Sequence, residues 1–350
     1  MKAKTILSVI SCLLILSFLM SVFEPQRKPA LASPTTEKKI VLKAIHAYPV
    51  THARQWVFET MNKMIGDATN GRVKIRIFGA GSLFSAREEI GALIDGSADI
   101  SLTPTPYLIK YPATKPLNIL MTIGSMPTLE ALCEVEDLIM KEGWDEKWLN
   151  PLGIKSLGLL PYTNGGIVAS SSPIRTLDDI RGKRLRWPVP GFTRDYWGAL
   201  GCILVTVSAA EMVSAVQTGV IDGIITSLEA GVTTKSYQVA PYVMRIRGLA
   251  TDAPVAFSMK TWKKLPKDVQ VAFEGIMPKL IKMSRDRLRE ETKHFDETLH
   301  KESKEYMMWP EEIEKEAFRL WRPLWKKHAQ LLKVPDEVFN KIMEINKKYK

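Results

Sequence analysis

One strand–helix–strand pattern occurs twice in this chain, and it restricts the possible folds more than any other feature. Residues 85–99 read SAREEIGALIDGSAD and residues 208–222 read SAAEMVSAVQTGVID, so the two copies begin 123 residues apart. Each copy opens with the S-x-x-E capping box, has Gly where a helix would end, and has Asp before a short apolar run. This separation is too wide for a solenoid repeat. We therefore expect two related α/β lobes that face each other across a cleft, with chance similarity of two α/β units as the alternative.

The remaining sequence alternates between strand and helix patterns. Residues 39–46 and 72–78 alternate with period two, which predicts strands, and residues 51–69 and 128–140 have helical spacing. Four prolines between residues 104 and 116 predict a loop. Residues 266–302 predict one long helix with a kink at Pro278. Such alternation is typical of α/β lobes.

The N-terminal segment has the pattern of a secretory signal. Lys2 and Lys4 precede a mostly apolar run at residues 6–23, and Ala30 and Ala32 occupy the positions that a signal peptidase reads. We expect cleavage after Ala32 and export to the periplasm. The run of 18 residues is also long enough to span a bilayer, so a membrane-anchored form is the alternative.

Charge and cysteine content narrow the classes of partner. Without residues 1–32, the formal net charge falls from +11 to +8, because four basic residues and one acidic residue are removed. The basic residues are interleaved with acidic ones, so we expect no nucleic-acid partner. Cys133 and Cys202 are 69 residues apart and form no zinc or redox motif. Two isolated buried thiols are expected, although an exported protein would permit a disulfide between them.

Several common sequence motifs of enzymes are incomplete or absent in this chain. The stretch Gly79, Ala80, Gly81 lacks the third glycine of a dinucleotide loop, and the chain has no G-x-S-x-G, no phosphate-binding P-loop and no H-E-x-x-H. We therefore expect a protein that is not an enzyme and that has no cofactor and no metal site. His46 follows the first strand, at a position where α/β clefts bind ligands, and is a candidate ligand contact. A polar cap on the strand is the alternative.

Residues 176–188, TLDDIRGKRLRWP, carry the main binding signal. A capped turn leads through Gly182 into a basic strand, and Arg186 stands at the end of that strand. The planar guanidinium of an arginine forms two parallel hydrogen bonds with a carboxylate, which suits a ligand-binding cleft. A surface ion pair is the alternative.

This motif resembles the dicarboxylate-binding (DctP-like) substrate-binding subunits of tripartite ATP-independent periplasmic (TRAP) transporters. The other matching segments are G-S-L-F at residues 81–84, E-x5-Q-x-G-x-x-D-G at 211–223 and FSMKTWKKLPKDVQ at 257–270, and the similarity covers nearly all of residues 39–305. The resemblance implies an α/β fold, a two-lobed periplasmic-binding-protein clamp with crossing strands and a long helix spanning both lobes. Carried over, the domains are a signal peptide at 1–32, lobe I at 39–162 plus 252–290, and lobe II at 163–251 plus 291–350.

The same resemblance implies an extracytoplasmic solute-binding protein, expected as a monomer, that captures a small organic acid for a sodium-coupled TRAP transporter. Its partners would be the carboxylate ligand and the integral membrane subunits. A binding protein for an ATP-driven transporter or a sensor kinase, or a secreted enzyme, are the alternatives. In this family Arg186 would form the bidentate salt bridge to the ligand. The other candidate ligand contacts are Trp187, Thr226, Asn164, Tyr107, Phe84 and His46.

Three positions depart from the sialic-acid branch of this family. Ile167 stands where that branch has a second arginine, Thr226 where it has asparagine, and Ala209 where it has an aromatic residue. Sialic acid is therefore not expected. The pocket is expected to be less polar, and a monocarboxylate with an apolar or aromatic body is expected ahead of a sugar acid.

Overall fold

One mixed sheet forms the framework of the residues that the computed structural model describes, which are 38–187, 191–207 and 211–349. The predicted signal segment, with its cleavage site after Ala32, lies outside them. The strands of the described residues are β1 (Ile40–Ile45), β2 (Val73–Phe78), β3 (Ile100–Ser101), β4 (Ile154–Ser170), β5 (Arg184–Arg186), β6 (Ile203–Val205), β7 (Gly223–Ser227), β8 (Tyr242–Ser258) and β9 (Glu305–Met308). Their order is β2-β1-β3-β8-β4-β7-β5-β6, and β9 pairs with β8.

The described residues also form α-helices. They are α1 (Ala53–Ala68), α2 (Glu89–Asp95), α3 (Leu129–Lys141), α4 (Trp144–Leu149), α5 (Arg194–Ala199), α6 (Met212–Gln217), α7 (Leu228–Thr233), α8 (Met259–Trp262), α9 (Lys267–Glu302), α10 (Glu311–Leu331) and α11 (Asp336–Lys348). The helices predicted at residues 51–69, 128–140 and 266–302 are confirmed as α1, α3 and α9. α9 continues as one helix through Pro278. Across the described ranges, no helix combines the length and the apolar character that crossing a membrane requires.

The strand directions place the carboxyl ends of two strand groups opposite each other. In the first lobe β1 is parallel to β2 and β3, and in the second lobe β5 is parallel to β6 and β7. β4 and β8, of 17 residues each, run antiparallel to each other through both lobes. β3 is antiparallel to β8 at residues 256–257, and β7 is antiparallel to β4 at residues 166–170. Both groups therefore point toward the middle of the crossing strands, which confirms the predicted two-lobed clamp.

The crossing strands are irregular where they pass between the lobes. Their register shifts between residues 156 and 159, 161 and 163, and 164 and 166. Gly165 has a φ of 101°, and a Cβ there would overlap Nη1 of Arg245, so only glycine fits this position. Pairing between the two crossing strands is therefore interrupted in this stretch, which removes ladder hydrogen bonds there.

One apolar core lies in the first lobe and another in the second, and the longest helix contributes to both, while a third and larger core holds residues of both lobes, such as Ile45 and Leu185. Phe58 of α1 packs with Phe273 of α9 in the first core. Ile224, Leu228 and Leu299 pack together in the second core, and Leu299 belongs to the far end of α9. Burying each of these side chains stabilises the fold by about 1.5–3 kcal/mol. The prediction of a long helix spanning both lobes is thus confirmed.

The two copies of the repeated pattern make equivalent contacts. The glycine that closes each helix has a positive φ, 85° at Gly96 and 70° at the second copy. Asp99 Oδ2 accepts the backbone N–H of Lys43 at 2.7 Å, and Asp222 Oδ2 accepts that of Arg184 at 2.8 Å. In both copies the aspartate therefore ties its strand to the neighbouring parallel strand. Residues 208–210, at the start of the second copy, lie outside the described residues.

The proline-rich stretch at residues 104–116 is not the predicted loop. Two 3₁₀ helices, Thr105–Lys110 and Pro112–Met121, occupy it, and Leu108 and Leu117 are fully buried. Proline has a fixed φ and no N–H, which suits the first turn of a helix, where the N–H has no partner. The prediction was wrong because the prolines begin short helices here.

The C-terminal helices attach to elements from several parts of the chain. α10 contacts α5, and α11 contacts α3. The indole N–H of Trp321 donates to the carbonyl oxygen of Tyr196 at 2.7 Å, and that of Trp325 donates to the carbonyl oxygen of Ile123 at 3.0 Å. These paired indoles allow large aromatic side chains to be buried without loss of their hydrogen bonds.

Both cysteines of the described residues, Cys133 and Cys202, are free thiols. Burial raises the pKa of each to about 12. The expectation of isolated thiols is confirmed, with Cys133 buried as expected and Cys202 only partly buried.

Candidate functional site

Arg186 ends β5 at the carboxyl edge of the second lobe, as the sequence predicts. Its side chain is only 3% exposed, and its Nε–H donates to the carbonyl oxygen of Val207 at 2.9 Å. Among the described residues, no carboxylate forms an ion pair with Arg186, and no other hydrogen bond to its guanidinium is formed. Burial lowers its pKa to about 10, so the group remains charged at neutral pH. A buried cation without a counter-charge is unfavourable, and an anion that reaches it would be bound strongly.

Arg184, two residues earlier on the same strand, differs from Arg186 because it is paired with a carboxylate. Its Nη2 lies 2.7 Å from Oδ1 of Asp222, and its Nε lies 3.1 Å from Oδ2 of the same carboxylate. The Arg184 side chain is 43% exposed. The ion pair that the sequence left as the alternative for Arg186 is therefore made by Arg184.

Tyr107 approaches Arg186 from the first lobe. It lies in the 3₁₀ helix Thr105–Lys110 and is half-buried. Its hydroxyl is near enough to favour the charged form of Arg186, against the larger effect of burial. Burial raises the pKa of Tyr48, a half-buried residue beyond the end of β1, and Tyr107 adds to this effect. Tyr107 of the first lobe thus interacts electrostatically with Arg186 of the second lobe and with Tyr48 of its own lobe.

A second buried arginine, which the sequence did not single out, stands behind these phenols. The Arg54 guanidinium lies between the rings of Tyr48 and Tyr162, with its carbon 3.9 Å and 3.8 Å from the ring centroids. Its Nε–H donates to the carbonyl oxygen of Leu102 at 2.9 Å. Cation–π contacts of a desolvated guanidinium stabilise such a stack by about 2 kcal/mol or more. Arg54 therefore fixes the orientation of Tyr48.

Glu89 holds the loop that carries Tyr48. Its two carboxylate oxygens accept the backbone N–H of Ala47 at 2.8 Å and the hydroxyl of Thr103 at 2.6 Å. Burial raises the pKa of Glu89 to about 7, although these two hydrogen bonds and Arg54 act in the opposite direction. The end of β1 and the end of β3 are thereby joined through one side chain.

Trp187 and Phe84, which were predicted as pocket walls, pack against the apolar core. Trp187 is 3% exposed, its indole N–H donates to the Thr193 hydroxyl at 3.0 Å, and its ring centroid lies 6.2 Å from that of Trp197. Phe84 is half-buried against the same core cluster. Any contact that these two rings make with a ligand remains a prediction.

The other predicted contacts lie near the middle of the crossing strands or at strand ends. Thr226 is buried in β7 and pairs through its backbone with Ile167, while Asn164 pairs through its backbone with Ala250. His46 is buried after β1, and its Nε2 lies 2.9 Å from Oε1 of Gln55. Burial lowers the pKa of His46, which keeps the imidazole neutral at neutral pH. Ala209 lies outside the described residues.

Tyr107 interacts electrostatically with both Arg186 and Tyr48, and the Arg54 guanidinium stacks on the Tyr48 ring. A tyrosine shortly after a strand end was a visible signal for Tyr48, but nothing in the local sequence marks Arg54. Within the described residues, no group of three or more His, Cys, Asp or Glu side chains is placed to hold a metal ion. A buried cation at a strand end suits the capture of an anion.

Comparison with known proteins places this geometry in context. A family model described as DctP, bacterial extracellular solute-binding protein, family 7, matches residues 46–331. The C4-dicarboxylate-binding periplasmic protein DctP of Rhodobacter capsulatus is 23% identical over 251 residues, which cover 71% of this chain and 74% of that relative.

Two solved structures share the fold. The sugar acid binding protein DctPAm from Advenella mimigardefordensis, in complex with galactonate, has a TM-score of 0.77 and 18% identity, covering 89% of this chain and 99% of that one. A TRAP periplasmic solute binding protein from Desulfovibrio desulfuricans, with bound sn-glycerol-3-phosphate, has a TM-score of 0.77 and 19% identity, covering 88% and 97%. At these identities the likeness concerns the fold, and the three ligand classes differ.

Proposed function

Because the chain belongs to family 7 of the bacterial extracellular solute-binding proteins, we propose that it captures a small carboxylate between its lobes for a sodium-coupled TRAP transporter. The family comprises extracytoplasmic solute receptors that work with membrane TRAP subunits. Its members are receptors rather than enzymes, which supports a non-enzymatic role for this chain.

The observation that carries the proposal is the environment of Arg186. The guanidinium is almost fully buried and, within the described residues, its one hydrogen bond goes to a backbone carbonyl. Its position at the carboxyl end of β5 faces the first lobe, from which Tyr107 approaches. A carboxylate bound here would form charge-assisted hydrogen bonds in a site from which water is largely excluded, where such bonds are stronger than in water.

The ligand that we propose is a monocarboxylate with an apolar or aromatic body. The relatives bind anions of several kinds: a C4-dicarboxylate, a sugar acid and a phosphate ester. Ile167 is fully buried and Thr226 nearly so, which supports a second-lobe wall with few polar groups. Tyr48 and Tyr107 supply ring faces and hydroxyls on the opposite wall. Trp187, Phe84, Asn164 and His46 stay as further proposed contacts.

We also keep the proposed division of the chain. Lobe I comprises residues 39–162 and 252–290, lobe II comprises residues 163–251 and 291–350, and residues 1–32 are a signal peptide. The register shifts of the crossing strands fall close to these boundaries, which supports a hinge there. Rotation about such a hinge would enclose the ligand.

A thermal-melting screen tests this function. Ligand at about 100 times its dissociation constant adds about 2.7 kcal/mol to the free energy of unfolding, which raises the melting temperature by several degrees. The compounds should include aliphatic and aromatic monocarboxylates, C4-dicarboxylates, sugar acids and phosphate esters. The primary amide of each acid serves as the matched control.

Stabilisation by one or a few monocarboxylates, and not by their amides, is the expected result. Stabilisation by dicarboxylates or sugar acids alone would keep Arg186 as the clamp and overturn the apolar pocket. If only phosphate esters or neutral solutes stabilise the protein, the carboxylate proposal fails.

A further inference from the structure

One contact joins the two lobes through charged side chains beside the candidate site. Nε2 of His52 lies 3.0 Å from Oε2 of Glu229, and the two side chains are only 8% and 17% exposed. His52 directly precedes α1 and caps it, and α1 packs in the first-lobe core. Glu229 lies in the first turn of α7, whose Leu228 packs in the second-lobe core.

The hydrogen bonds of His52 define which ring nitrogen carries the proton. Nδ1 accepts the backbone N–H of Arg54 at 3.1 Å, so it must be unprotonated. In the neutral ring the proton is therefore on Nε2, which donates it to the Glu229 carboxylate, and Nη1 of Arg54 lies farther from the same nitrogen, at 3.4 Å. Burial lowers the pKa of His52, the Glu229 hydrogen bond opposes this effect, and Arg54 adds to it.

The partners of His52 are those that shape the candidate site. Its ring centroid lies 4.5 Å from that of Tyr48 and 6.1 Å from that of Tyr162, the two rings that enclose the Arg54 guanidinium. A carboxylate of the second lobe is thus attached to the wall of the first lobe. This attachment depends on the relative position of the lobes, because its two halves belong to different cores.

We propose that the His52–Glu229 contact is a latch that stabilises the arrangement of the lobes seen here and positions the Tyr48 wall opposite Arg186. Neither residue needs to touch the ligand for this role. The inference rests on the proposed receptor function for its biological meaning, but the latch itself is a property of the protein without ligand.

Double spin labelling of the ligand-free protein tests the latch. Lys74→Cys on β2 and Val220→Cys before β7 place labels at exposed positions in different lobes, in a background whose native cysteines are replaced by alanine. Pulsed dipolar spectroscopy then gives the distance distribution between the labels. Glu229→Gln should shift this distribution away from that of the parent, with a change of roughly tenfold in the ratio of the lobe arrangement seen here to all others.

Two further variants identify the cause. His52→Gln keeps a side-chain N–H and should retain part of the parent distribution, whereas Glu229→Gln combined with His52→Ala should shift it no further than Glu229→Gln alone. The matched control is Glu305→Gln. The two carboxylate oxygens of Glu305 accept hydrogen bonds from Arg175 at 3.1 and 2.8 Å, and both residues belong to the proposed second lobe.

The control should leave the distribution unchanged, and circular dichroism should show that every variant is folded. A parent-like distribution for Glu229→Gln overturns the latch, and so does an equal shift in Glu305→Gln. Either result leaves the carboxylate proposal untouched, since no ligand is present. A failed ligand screen, in turn, leaves the latch untouched.

Discussion

Asp252 should make the stability of this protein depend on pH in a direction opposite to that of most surface carboxylates. It lies on β8 with no exposed surface, and neither carboxylate oxygen has a hydrogen bond of normal geometry among the described residues. Burial raises its pKa from 3.8 to about 7, and the nearby Thr105 hydroxyl and Arg54 offset only part of this effect. The native state therefore holds a proton on Asp252 over a pH range in which the unfolded chain has lost it.

The sign and size of the effect follow from proton linkage. Between about pH 4 and pH 7 the native state binds more protons than the unfolded state, so the contribution of this group to the free energy of unfolding falls as the pH rises. A change in pKa from 3.8 to about 7 corresponds to about 4 kcal/mol in total, of which about 3 kcal/mol are lost between pH 5 and pH 8.

Asp252→Asn removes this titration while keeping the shape of the side chain. Urea unfolding followed by circular dichroism should show that the variant gains about 3 kcal/mol relative to the parent when the pH is raised from 5 to 8. Because Asp252 also contributes to the raised pKa of Glu136, part of the gain will come from that neighbour. A difference between variant and parent that is the same at both pH values would refute the reasoning, because Asp252 would then be ionised throughout or solvated.

Two other expectations concern the N-terminus and the glycines. Mass spectrometry of protein exported by a bacterial host should find Ser33 as the first residue, and an intact N-terminus in the membrane fraction would instead support an uncut anchor. Gly165→Ala should destabilise the fold by about 1–3 kcal/mol in urea unfolding, because the added Cβ meets Arg245 at a φ of 101°. Gly275→Ala on α9, where a Cβ meets no atom within 4 Å, should instead stabilise it by up to about 1 kcal/mol, and the same sign for both changes would contradict this account of backbone strain.

Features set by local patterns could be predicted from the sequence. The strands around Ile40 and Val73 and the long helix starting at Lys267 follow from periodic burial on one face. The spacing in the sequence indicated that Asp99 and Asp222 are equivalent. In the structure each of them accepts a backbone N–H of the neighbouring parallel strand. The position of Arg186 at a strand end could be predicted because the end of the basic strand can be recognised in the sequence.

Features set by contacts between distant residues could not be predicted. The guanidinium of Arg54 lies between two tyrosine rings, and one of them, Tyr162, is far away in the sequence and belongs to a crossing strand. Whether Trp187 contacts a ligand stays a prediction, and the hydrogen bond from its indole N–H to the Thr193 hydroxyl could not be predicted from a local pattern. The contact of His52 with Glu229 depends on how the two lobes are arranged, and no local sequence pattern indicates that arrangement.

The most direct test of carboxylate binding is isothermal titration calorimetry of Arg186→Lys and Arg186→Gln against the unmodified protein. The titrants are the acid that gives the largest thermal stabilisation and its primary amide, and circular dichroism first establishes that both variants are folded. Losing the partner of a desolvated charge costs about 2–5 kcal/mol, so Arg186→Gln should bind the acid at least about 30-fold more weakly. Arg186→Lys should also bind poorly, because an ammonium cannot offer the two parallel donors of a guanidinium. Unchanged affinity of Arg186→Gln for the acid, or equal affinity of the unmodified protein for acid and amide, would contradict the central claim.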